Sequence, residues 1–417
     1  MKTREIITVA VLLLLGLGVR LLISNNPGFA ADVMQHKSWA ESLYDHGLSS
    51  FYDNTRSNLP PMFIYLLYLM SFPMEKFPDY AFMFLKLPGM IVDVLISITI
   101  YIAVKRKFNT SEVINNAPII CMSLFLFNPA VIFDSAVWGK WDDALVSFFL
   151  LLTVCYYNTY KVGGFYVLAI YSKLQGLIFA PILFRVSNLH RVIIPLVITA
   201  AVLLIPLREQ LVAMYYYVKG SFDLFPHTTV NAYNFWWLLN WNNWTLDWWH
   251  SPLDTDVYFI TTPKYYGILV YLLIAALLNI FLRKYRYNFR SLCFASFFIY
   301  LTFFMFFTRM HERYMYYTLP FLALLAALAN NRKYLYVYIL LSMTVFLNIY
   351  IIYEQNYPLV FQGLHEIAAL TIGIALVNLV VFFYMLFELL RDLYTSKWQK
   401  TRYKIFGFAI PQITENR

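Results

Sequence analysis

Charged side chains are scarce. Asp, Glu, Lys and Arg make up 13% of the 417 residues, where an ordinary soluble domain carries about a quarter. Long apolar runs recur from end to end, hydrophobic residues reach 60% and the mean hydropathy is +0.59. A soluble domain is excluded, and the fold class is an all-α polytopic membrane protein. Cysteine is nearly absent: Cys121, Cys155 and Cys293 lie singly inside apolar runs. No disulfide framework or CxxC zinc site can be built from them. Neither a Gly-rich phosphate loop nor a repeat of about 20–50 residues occurs. Residues 1–417 therefore form one membrane domain.

Positive charge is in excess, at +9, but it does not point to nucleic acid. Lys105-Arg106-Lys107, Arg283-Lys284-Tyr285-Arg286, Arg332-Lys333 and the tail from Lys397 to Lys404 are short clusters between apolar runs. They mark cytoplasmic loops under the positive-inside rule. Lys2 and Arg4 put the N-terminus inside. The first run, from about Ile6 to Ile23, ends around Arg20 and precedes many more spans, so it reads as a retained helix and not a signal peptide.

Taken in order, the charges give about eleven crossings, with both termini cytoplasmic. Ala81 to Val104 must end inside, which works only if the shorter run Met62 to Phe72 does not cross. Gly164 to Arg185 is flanked by Lys161 on one side and Arg185 and Arg191 on the other. Both ends belong inside, and the run is too short for two full helices. It is expected to be a re-entrant hairpin turning at Ser172-Lys173-Leu174-Gln175. The long outer loops are 24–80 and 208–263, and the second holds most of the ten tryptophans, as an interfacial belt or sugar-stacking surface requires.

The first outer loop is where chemistry is expected. Asp32 lies within about two helical turns of the end of the first span. Ala31 to His46 should form an interfacial helix anchored by Val33, Met34, Trp39 and Leu43, and Pro60-Pro61 should open a second one. A carboxylate held at the membrane face can deprotonate an acceptor hydroxyl.

Also collected on this face are Asp134, Asp142, Asp143, Lys173, Arg208, His227, Arg309, His311, Glu312 and Arg313. Ionisable groups at membrane depth are costly and point to function. Each also has a plain structural reading. Asp142 and Asp143 suit a helix N-terminus, Glu312 suits a pair with Arg309 or Arg313, and Asp93, in mid-span, suits internal pairing.

The order of motifs carries a resemblance. NPAVIFDSAVWGKWDD resembles the NP…WGQxD loop of GT-C glycosyltransferases in the branch of the second GPI mannosyltransferase. SKLQ is similar to that branch's K-x-Q turn, VNAYNFWWL to its VNAxNLW stretch, and RMHERYMYYTLP to its HERY loop. Lys140 stands where glutamine is usual. The resemblance implies the GT-C fold and an inverting transferase. It would move a hexose, with mannose favoured, from a polyprenyl- or dolichyl-phosphate-sugar to a lipid-linked, glycan or protein hydroxyl on the extracytoplasmic or lumenal face. Asp32 would be the general base. Asp134, Trp138, Asp142, Asn231 and Asn234 would position acceptor or sugar, and Arg313, His311, Arg309, Lys173 and Gln175 would face the donor phosphate. No cofactor or metal is required, because a lipid monophosphate is already a competent leaving group. A prokaryotic plasma membrane is favoured, or the endoplasmic reticulum in a eukaryote.

Three rivals stand beside this reading: a lipid-linked glycan ligase or polymerase, a secondary transporter, and a catalytically silent assembly subunit. A transporter predicts inverted repeats and charges near the midplane, whereas the ionisable residues here gather on one face.

Overall fold

The computed structural model describes residues 3–109, 111, 113–186, 189–221, 224–240, 251–258, 260–328, 331–357 and 364–395. The expected basic tail and tryptophans 241–249 lie outside these residues. The fold is all-helical: isolated bridges occur among the described residues, but no strand.

Among the described residues, seven helices are long and apolar enough to cross a membrane, namely Thr3–Ser24, Pro78–Lys107, Leu189–Gly220, Pro263–Lys284, Phe289–Phe306, Lys333–Asn356 and Ile367–Tyr394. An eighth results if Ala117–Leu126 and Pro129–Trp138, bent by 44°, count as one span. The expected eleven crossings thus include segments that do not form full-length helices. Asp142–Cys155 has 14 residues, which reach only about 21 Å of the roughly 30 Å of hydrocarbon. Tyr314 to Ala329 becomes a 3₁₀ turn, Tyr314–Thr318, followed by the short helix Leu319–Leu325. Both of these helices are enclosed by others: every residue of Leu319–Leu325 is buried. Neither has to match the lipid thickness on its own.

The first loop behaves as its sequence directs. Ala30–His46 is a helix burying Val33, His36, Trp39, Ala40 and Leu43. That set recurs every three or four residues and makes one apolar stripe. Met34 falls off the stripe and is exposed, against expectation. Pro60 is the N-cap and Pro61 the first residue of Pro61–Lys76, where a missing N–H costs nothing. This helix is too short to be a span, and its Phe63 stacks on Trp141 with ring centroids 4.0 Å apart.

The run around Lys173 is broken as expected. Lys161–Ser172 ends at an extended Lys173, a 3₁₀ segment follows at Leu174–Phe179, and Ala180–Val186 resumes the α-helix. Gly176 makes the turn possible: a Cβ there would lie 2.8 Å from the Ile170 nitrogen. Only glycine lets the returning chain approach that closely.

Candidate functional site

Three loops meet over Asp32. The carboxylate stands in the first turn of Ala30–His46. Its Oδ2 accepts from Trp138 Nε1 at 2.8 Å, its Oδ1 from Lys140 Nζ at 3.0 Å, and Arg313 approaches Oδ2 to 3.9 Å. Burial pushes the Asp32 carboxyl up, but Lys140 and Arg313 outweigh it and hold it well below the usual range.

A second ion-pair centre lies beside it. Lys173, at the hairpin break, sits 2.8 Å from Asp142 and 2.7 Å from Asp143. Arg313 Nε lies 3.2 Å from Asp143, and Tyr317 donates to the same residue. Asp142 and Asp143 do occupy the first turn of their helix, where the dipole favours them. The N-cap itself is Trp141, without a side-chain cap bond. The two acids therefore serve Lys173 and Arg313 more than the helix end. Glu312 pairs with Arg313, as its plain reading had it. Burial raises the Glu312 carboxyl and lowers His311 well below its ordinary value. Lys173 lies 4.4 Å from the Tyr314 ring centroid, and Gln175 Nε2 donates to the Tyr314 hydroxyl at 3.3 Å.

Not every expected residue joins this cluster. Arg309 is committed elsewhere: its Nε and Nη2 reach Asp254 at 2.7 and 3.0 Å, and Thr308 donates to the same carboxylate. Asn234 caps Phe235–Leu239, accepting from the Trp236 and Trp237 amides and donating to the Phe304 carbonyl at 3.0 Å. Its side chain is spent on the backbone. Asn231 has a positive φ of 65° and offers its carbonyl to Asn348 at 2.8 Å. Asp134 is buried in the π-helical turn Phe133–Trp138, and neither of its oxygens has a hydrogen-bond partner among the described residues. His227 lies within 2.6 Å of the Ser251 carbonyl. Arg208 pairs with its exposed neighbour Glu209.

Three participants were not singled out from sequence. Lys140 was noted only for replacing a glutamine. His36, one turn along from Asp32, is buried against Phe63. Burial, with Lys140 nearby, lowers it to about 3. Lys86 is fully buried, and its ammonium lies 2.8–3.3 Å from five oxygens that share its three donors: the Ser24, Asn26, Ala136 and Val137 carbonyls and Asn26 Oδ1. It ties the end of the first helix to the Trp138 turn, where Phe29 also stacks on Trp138 at 4.2 Å. The signal for Lys86 was available, since it is an ionisable residue within an apolar run.

Fold and site together define a multi-pass integral membrane protein with a buried charge cluster at the end of the bundle where Asp32 lies. The family model for the GPI transamidase subunit PIG-U matches residues 5–247, and the chain belongs to that family. The family shown is thus the transamidase-subunit one, in place of the mannosyltransferase branch expected from the motifs. A comparison with curated proteins found no match. The matched region contains Asp32, Trp138, Lys140, Asp142, Asp143 and Lys173 but ends before Arg313.

Proposed function

We propose that the chain is an inverting glycosyltransferase that uses a polyprenyl-phosphate-sugar at the extracytoplasmic face, with its termini cytoplasmic. One observation carries this reading: the loop acid Asp32 faces two fixed cations, Lys140 and Arg313. Transfer needs those elements. The acceptor hydroxyl gives its proton to the Asp32 carboxylate while its oxygen bonds the anomeric carbon. The bond from that carbon to the phosphate oxygen breaks with inversion, and the polyprenyl phosphate leaves with the electron pair. A base of this kind contributes about 10²–10⁴ to the rate, and fixed cations stabilise the charge developing on the leaving group. Lys173 and Arg313 together offset the charges of Asp142 and Asp143 beside the site. A lipid-linked glycan ligase would use the same chemistry with a larger donor.

A second reading is favoured by the family and by the locked state of Asp32. In it the chain is a non-catalytic subunit of a membrane assembly that engages a glycolipid. Purified protein presented with a panel of polyprenyl-phosphate sugars separates the two. The transferase reading expects turnover, with Asp32→Asn reducing kcat by about 10² or more at unchanged expression. Absence of turnover with every donor leaves the subunit reading.

A further inference from the structure

Lys140 and Arg313 are the groups an anionic ligand needs, and both already face a carboxylate. Among the described residues Lys140 has one carboxylate partner, Asp32. Lys173 is shared by Asp142 and Asp143, and Arg309 is consumed by Asp254. Exposure ranks the acids. The side chains of Asp142 and Asp143 are 0% exposed and that of Glu312 is 2%, whereas Asp32 is 19% exposed. An incoming anion meets Asp32 first. The groups around it are an indole N–H, an ammonium and a guanidinium. That donor set suits a phosphate monoester at least as well as a carboxylate, since phosphate brings a third oxygen and greater charge.

We propose that Asp32 and a phosphate monoester compete for the same three donors, Trp138 Nε1, Lys140 Nζ and the Arg313 guanidinium. This rests on the transferase reading for its use, because the donor's phosphodiester becomes a monoester as the sugar departs, and the growing charge then draws both cations from Asp32 as it takes the acceptor proton. A short side chain in the first turn of a helix can swing aside by one rotamer change, while Arg313 stays where Asp143 and Glu312 hold it. Asp32 is freed as the leaving group takes the two cations.

The competition predicts a sign opposite to that of a simple binding residue. With purified protein in nanodiscs and sugar-free polyprenyl monophosphate as probe, Asp32→Asn should tighten Kd by about tenfold or more, the worth of one charge-assisted bond. Lys140→Gln should weaken it. In the Lys140→Gln background the gain from Asp32→Asn should largely vanish, which a general change in surface charge would not produce. Glu41→Gln, which removes an exposed carboxylate from the same helix, should leave Kd unchanged. Inorganic phosphate tested alongside identifies what is read: tightening for both ligands means the anion alone, and tightening for the lipid only means the anion with its chain. Either result supports the competition. Equal or weaker binding of both probes by Asp32→Asn overturns it, even where the wild type transfers sugar. Tightened binding in a protein that transfers no sugar upholds the competition and refutes the transferase reading.

Discussion

The Arg20–Asp93 pair is the sharpest test of the architecture. Thr3–Ser24 packs lightly, with 17% of its membrane window buried, so polar contacts must locate it. Arg20 Nε reaches Asp93 at 3.0 Å, and its Nη1 donates to the Gly16 and Leu126 carbonyls at 3.0 and 2.8 Å. Tyr316 donates to the other Asp93 oxygen at 2.7 Å, and both charged side chains are 0% exposed. Asp93 is therefore the internal pairing residue its mid-span position suggested. Removing one partner of a buried pair strands the other charge and costs about 3–5 kcal/mol. Arg20→Met should lower stability by that amount in SDS unfolding from mixed micelles, followed by far-UV circular dichroism. Arg20→Met with Asp93→Leu removes both charges and should cost less than the single change. A double variant whose loss equals the sum of the two singles would refute the pairing, because independent sites add.

Three further outcomes can be measured. Lys86→Met removes a cation that bridges two loops and should destabilise by about 1.5–3 kcal/mol; wild-type unfolding would mean the seam is held elsewhere. His36 is neutral when folded, with its value lowered from 6.5 to about 3 by burial and by Lys140. Between those values the unfolded chain binds the extra proton, so stability should fall as pH drops from 6.5 towards 3. His36→Phe should flatten that slope, and an unchanged slope would assign the acid sensitivity to other groups. The three native cysteines are buried, so cysteines introduced at Asp53 and Arg286 can be labelled selectively. External reagent should modify the first and miss the second, and the reverse result would invert the proposed orientation.

Sequence by itself determined the membrane class, because low charge and repeated apolar runs leave a helix as the way to satisfy backbone groups in lipid. It also located the Lys173 break, since basic residues flank both ends of a run too short to cross twice. Asp32 was legible because the preceding helix fixes its distance from the membrane. The number of full-length spans was not legible, because helices enclosed by protein escape the length rule that lipid imposes. Nor was the choice of cations. Arg309 and Arg313 lie one turn apart in sequence and look alike, yet one pairs with Asp254 and the other faces Asp32 and Asp143. Lys140 and Asp32 are 108 residues apart, and their contact depends on how three loops pack. Helix periodicity and local charge act within a few turns, whereas pairings between distant loops exist only once the tertiary structure has brought those loops together.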